Sequence, residues 1–103
     1  MDPILSTYEI GEGLPILFVH GWQMDHRAEQ VDFEPIFSKI SGFRRVYVDL
    51  PGMGTSPANG IRNLDDIYVR LAQFIETRLG GSRFLLVGSS CGGYFAHAWL
   101  KDS

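Results

Sequence analysis

Ser90 stands between Gly88 and Gly92 in the run Val87-Gly88-Ser89-Ser90-Cys91-Gly92-Gly93, and that spacing has chemical meaning. A serine hydroxyl becomes a useful nucleophile when it is lifted clear of the backbone and offered a base. A sharp turn from strand to helix does the lifting, at a backbone cost of about 1–3 kcal/mol. In such a turn, the residues two before and two after the serine crowd each other unless they lack a Cβ. Gly88 and Gly92 remove that crowding. The apolar run Phe84-Leu85-Leu86-Val87 reads as the strand, and residues 91–101 read as the helix. Free N–H groups at the helix start would favour negative charge developing near Ser90. The plain alternative is a glycine-rich connection carrying an ordinary serine. The strand before it and the helix after it favour the strained turn.

The other elements that must position Ser90 follow from pattern. Residues 6–10 alternate weakly and suit an edge strand, closed by a turn at Gly11-Glu12-Gly13. Residues 16–20 form a continuous apolar run, as expected of a strand buried on both faces. Residues 21–31 read as a polar loop in which His26 is a solvated side chain. A helix is expected to start at Asp32, with Pro35 in its first turn and Phe33, Ile36, Phe37 and Ile40 along one face. Ser41-Gly42 would stop it. Residues 45–50 read as the next strand and residues 51–57 as a long loop. Asn63 and Asp66 resemble a capping box for a helix striped by Leu64, Ile67, Leu71, Phe74 and Ile75. Buried strands alternating with amphipathic helices predict an α/β fold with a mostly parallel sheet and flanking helices.

Size and composition set bounds. A chain of 103 residues holds at most one domain, and 45% hydrophobic with 20% charged residues indicates a globular chain. A net charge of −3 argues against nucleic acid as the partner. No apolar run approaches the ~20 residues that span a bilayer, so no membrane partner is expected. Met1-Asp2-Pro3-Ile4-Leu5 has no basic region, so no leader is expected. Cys91 is the only cysteine; it can form no internal disulfide, which suits a cytoplasmic location.

Three segments fall at expected strand ends: His20-Gly21-Trp22, Asp49-Leu50-Pro51-Gly52-Met53-Gly54-Thr55-Ser56, and the Ser90 turn. In a parallel sheet, binding groups gather at the carboxyl ends of strands. In order and rough spacing these segments resemble the α/β-hydrolase superfamily, from about Tyr8 onward. The resemblance implies that Ser90 is the catalytic nucleophile, on an elbow whose glycines are Gly88 and Gly92. It implies that the backbone N–H groups of Trp22 and Cys91 form the oxyanion hole. It also implies a soluble serine esterase acting on a small-molecule ester or similar acyl compound. A serine at the elbow argues against the dehalogenase and epoxide hydrolase branches, which carry aspartate there.

The remaining candidates are weaker. His20 reads as a strand-end residue shaping the oxyanion loop. His97 lies seven residues beyond Ser90 on the same helix, ~10 Å away at ~1.5 Å per residue, too far to act as its base. Asp49 reads as structural. Gly52-x-Gly54 lacks the further residues of a phosphate loop. No histidine, cysteine and carboxylate pattern has metal-ligand spacing, so neither metal nor cofactor is expected.

In the family the acid and then the histidine follow the elbow along the chain. Only ten residues follow Gly93 here. Residues 1–103 are therefore expected to be a partial domain without later strands, triad acid and base, or cap. Alone it should be inactive, and its last strand should lie at an open edge prone to self-association. The alternatives are a non-catalytic fragment or interaction module, or another chemistry on the same frame, such as acyl transfer, peroxidation or cyanohydrin cleavage.

Overall fold

A computed structural model describes residues 5–21, 24–51, 53–54, 56, 61–79, 83–88 and 91–102. Four strands form one sheet: β1 (Thr7–Ile10), β2 (Leu14–Val19), β3 (Phe43–Val48) and β4 (Leu85–Gly88). Their spatial order is β1-β3-β2-β4. β2 runs parallel to both β3 and β4, and β1 closes one edge antiparallel to β3. The sheet is thus mixed, and parallel from β3 through β2 to β4.

Side chains of β2 and β3 alternate between the two faces, as pleating requires. Leu17, Val19, Val46 and Val48 pack with helix α2 (Leu64–Arg78) and helix α3 (Cys91–Asp102) through Leu71, Phe74, Ile75 and Phe95. Ile16, Phe18 and Tyr47 face the opposite way, under helix α1 (His26–Phe37). There Phe18 stacks on Tyr47 at 4.6 Å and meets Phe33 at 5.1 Å. α2 starts as its cap residues imply: Asp66 N–H donates to Asn63 Oδ1 at 2.9 Å. The Asp66 carboxylate reaches back to accept from Arg62 N–H, one residue before the cap.

α1 departs from expectation. It begins at His26, six residues before Asp32, so residues 26–31 are helix and not loop. Asp25 is the cap, its carboxylate accepting from Arg27 N–H at 2.9 Å. Pro35 consequently sits in the last turn instead of the first. Ile36 is 56% exposed, and Ile40, also exposed, lies past the helix end. The inward stripe is Glu29, Phe33 and Phe37, spaced by four. A buried glutamate at its head hides the stripe from a search for apolar periodicity.

Beneath α1 the Glu34 carboxylate binds the Arg45 guanidinium, with Nε donating at 3.1 Å, and accepts from the Tyr47 hydroxyl at 2.5 Å. Arg45 holds the Glu34 carboxyl below its usual range, against burial, with help from Tyr47. Burial, then Glu34, pushes the Tyr47 phenol far up. This network ties the middle of α1 to β3.

Candidate active site

The Ser90 turn is framed by residues that the structure describes, although Ser90 itself and Trp22 lie outside them. β4 ends at Gly88 and α3 opens at Cys91, leaving two residues between strand and helix. A Cβ on Gly88 would stand 2.4 Å from the Gly92 carbonyl oxygen. A Cβ on Gly92 would stand 2.1 Å from the Val19 carbonyl oxygen and 2.6 Å from that of His20. The two glycines therefore do separate work. Gly88 lets the strand end pass the first turn of α3, and Gly92 lets α3 seat against the end of β2. That seating puts the start of the elbow helix beside the residues that launch the Gly21-Trp22 loop.

His20 is fully buried at that junction. Its Nε2 accepts from Leu50 N–H at 2.9 Å. That leaves Nδ1 to carry the proton, which it donates to the Gly21 carbonyl at 2.7 Å. Both ring nitrogens are thus engaged, so neither offers a free lone pair to take a proton from Ser90.

His26 is not a solvated side chain. Its side chain is only 12% exposed. Its backbone N–H and its Nδ1 both donate to Asp49 Oδ1, at 2.7 and 2.9 Å. Its ring stacks on Tyr8 at 3.5 Å between centroids. No sequence signal pointed to this pairing, because 23 residues separate the partners and Tyr8 comes from the edge strand.

Asp49 is the hub of this end of the sheet and is wholly buried. Its N–H donates to the Ser6 carbonyl at 2.9 Å. Its own carbonyl accepts from Ser56 Oγ at 2.5 Å, and Ser56 Oγ accepts from Ser6 N–H. Gly54, at φ +55°, packs against the carboxylate, where a Cβ would lie 2.4 Å from Cγ. Asp49 holds the loop after β3 in shape, and with it the neighbouring start of α1.

A histidine oriented by a buried aspartate resembles half of a triad, but strand order places this pair elsewhere. Asp49 follows β3, and β2 lies between β3 and β4. At ~4.8 Å per strand, the end of β3 is ~10 Å from the end of β4, beyond hydrogen-bond reach of the elbow. His97 lies on an exposed part of α3.

Tertiary structure also brings together donor atoms that sequence spacing could not pair: those of Asp25, His26 and Asp49 lie within 4.8 Å of one another. They are already engaged with protein. The Asp25 carboxylate binds the Arg27 guanidinium at 2.8 Å, which lowers its pKa. Asp49 Oδ1 holds both N–H groups of His26.

Next to this cluster a groove of about 1020 Å³ opens between the start of α1, the loop after β3 and the start of α2. Met24, Val31, Met53 and Ile67 make its walls mainly apolar, with Asp25 and Arg27 also lining it. Its volume is that of a small-molecule site.

The residue pattern of the alpha/beta hydrolase family matches this chain over residues 16–102. In structure the chain is similar to an alpha/beta superfamily hydrolase from Oenococcus oeni, with 40% identity and a TM-score of 0.83. That likeness covers 95% of this chain and 38% of the other. It is also similar to an esterase from Exiguobacterium antarcticum, at 27% identity and a TM-score of 0.72, covering 95% of this chain and 36% of that one. Among curated proteins it is similar to 2-succinyl-6-hydroxy-2,4-cyclohexadiene-1-carboxylate synthase from Salmonella paratyphi B, 33% identical over 81 residues. That match takes in 79% of this chain and 30% of the synthase. The matches thus take in about a third, 30–38%, of the length of each of these relatives. With the family pattern running through most of its length and the same strand-turn-helix frame in space, the chain belongs to the alpha/beta hydrolase family.

Proposed function

We propose that this chain carries the nucleophile and oxyanion part of a serine hydrolase acting on a carboxylic ester or similar small acyl compound. Ser90 Oγ attacks the carbonyl carbon. The carbonyl oxygen, taking up the electron pair, is held by the N–H groups of Trp22 and Cys91. The observation that carries this reading is the contact of Gly88 with Gly92, which suits the tight turn that G-x-S-x-G chemistry needs. Among the described residues no histidine is both free and near the end of β4. The proton of Ser90 therefore passes to a base, with its acid, from the part of the family fold that this chain does not span. Residues 1–103 act as a partial domain, placed in the cytoplasm on the ground of the lone Cys91; no helix among the described residues is long and apolar enough to cross a membrane.

The test is p-nitrophenyl ester hydrolysis by the chain alone and by the chain joined to the segment that follows the elbow helix in the Oenococcus oeni relative. Turnover that depends on Ser90 is expected only in the joined protein, where Ser90→Ala should remove at least ~10³ of the rate. Ser90-dependent turnover by the chain alone would place a base within it. Turnover by the joined protein that survives Ser90→Ala would end the nucleophile assignment. A second reading, another chemistry on the same frame, is favoured by the 33% identity to a synthase. Slow ester turnover beside an intact elbow would select it.

The free edge of β4 supports a further part of the proposal, self-association. Among the described residues β4 pairs only with β2, and Leu85 is 48% exposed. An apolar edge strand offers unpaired N–H and C=O groups to another chain. Light scattering should show the mean mass of the isolated chain rising with concentration. A constant monomer mass would refute this.

A further inference from the structure

Six residues, 20–25, join the end of β2 to the start of α1, and five of them, 21–25, with Trp22 among them, form the loop between His20 and His26. The residues on either side of this loop are both histidines, and both are tied to the same place. His20, before the loop, accepts from the N–H of Leu50. His26, after the loop, donates twice to the carboxylate of Asp49. Asp49 and Leu50 are neighbours in the chain, so the two ends of the loop are anchored on one dipeptide. That dipeptide is itself fixed by Ser6, just before β1, and by Ser56 in the loop after β3.

We infer that His26 is a positioning residue, which through Asp49 pins the far end of the loop that carries the Trp22 N–H, as His20 pins its near end. For catalysis this rests on the reading of Trp22 as an oxyanion donor; for the loop itself it does not.

The chemistry suits that task. The His26 backbone N–H is one of the unpaired donors at a helix start, and a buried carboxylate there is favoured by the helix dipole as well. Adding the Nδ1–H to the same oxygen gives Asp49 two charge-assisted bonds from one residue, so the start of α1 cannot slide or rotate without breaking both. The ring is held flat against Tyr8, which removes its rotational freedom. Asp25 and Arg27, which flank His26, bind each other and stabilise the same turn. Inside the loop, Met24 N–H donates to the Gly21 carbonyl at 3.2 Å. An oxyanion donor must be held in place before the reaction to be effective, and a loop closed at both ends loses far less entropy when it holds one geometry.

The experiment is amide hydrogen exchange of the 103-residue chain at low concentration, comparing residues 21–25 with β3 residues 46–48. His26→Leu removes the ring donor and keeps an apolar side chain of similar size. It should speed exchange of residues 21–25 by about tenfold or more while residues 46–48 change by less than about threefold. His26→Asn restores an N–H donor near the position of Nδ1 and should return residues 21–25 to within about threefold of the wild type. Uniform acceleration of both segments, unchanged exchange in the loop, or no rescue by asparagine would each overturn the inference. In the joined protein, His26→Leu should lower kcat with little change in KM. If exchange responds as stated but kcat does not, the loop is pinned and Trp22 is not the oxyanion donor, which separates the two failures.

Discussion

Gly92→Ala is expected to leave the chain without a cooperative thermal transition, while Gly93→Ala, one residue on, folds as well as the wild type. The two substitutions add the same methyl group to the same helix. At Gly92 it would stand 2.1 Å from one backbone carbonyl oxygen and 2.6 Å from another, on the strand end that α3 packs against. No rotamer relieves a clash between a Cβ and a backbone atom, so α3 must move off β2. That movement would take Phe95 out of the core, where it is fully buried. Losing one buried aromatic side chain alone costs about 3–5 kcal/mol, against a total stability of about 5–15 kcal/mol for a typical domain. At Gly93 the nearest atom is 3.4 Å away, an ordinary contact. There alanine would gain roughly 0.5–1 kcal/mol over glycine by reducing the freedom of the unfolded chain. Ser90→Ala should resemble Gly93→Ala in stability. Circular dichroism melts of the three variants decide the matter; similar midpoints for Gly92→Ala and Gly93→Ala would mean that α3 does not seat on β2 as described.

Glu34→Leu should destabilise the chain by about 3 kcal/mol at pH 7, the lower end of what removing one partner of a buried ion pair costs. The lower end applies because the Glu34 side chain is 19% exposed, whereas Arg45 is only 8% exposed. The substitution strands the Arg45 guanidinium and the Tyr47 hydroxyl at once. Replacing Arg45 by methionine in the same chain should recover part of the loss, since two apolar side chains leave no buried charge behind. The pH dependence has a definite sign. Folding lowers the Glu34 pKa, chiefly through Arg45. Its contribution is therefore complete above the unfolded value of about 4.3 and fades as pH falls through the folded one. Urea midpoints of the wild type and Glu34→Leu should differ at pH 7 and converge below about pH 4. A constant gap from pH 7 to pH 3 would show that packing, and not the ion pair, carries the effect.

Both substitutions act on contacts made between elements, which the pattern of residues along the chain does not mark. The runs that form β2, β3 and β4 are legible as short stretches of β-branched, aliphatic and aromatic side chains bounded by turn residues, although only β2 and β3 are buried and β4 is exposed to half-buried. α2 was legible because its stripe and its Asn63 cap are local. The spacing of Gly88 and Gly92 is legible for the same reason: a steric demand between residues 88 and 92 acts over one turn of chain and leaves a fixed glycine spacing. α1 starts earlier than its apolar pattern suggests, because its inward face begins with the buried Glu29 and because Asp25 rather than Asp32 caps it.

From the residues alone came the fold class, the family resemblance, and the close approach that depends on near neighbours, that of Gly88 and Gly92. Tertiary structure alone decided the sheet order, which puts Asp49 ~10 Å from the end of β4. It alone revealed what Gly92 touches, how His20 holds its proton, and why His26 is not a surface residue. The division has one physical cause. Turn sterics, caps and periodicity act between residues a few positions apart and mark the sequence directly. The pairing of His26 with Asp49, or of His20 with Leu50, exists only once β2 and β3 lie side by side, and nothing in either residue's neighbourhood along the chain announces its partner.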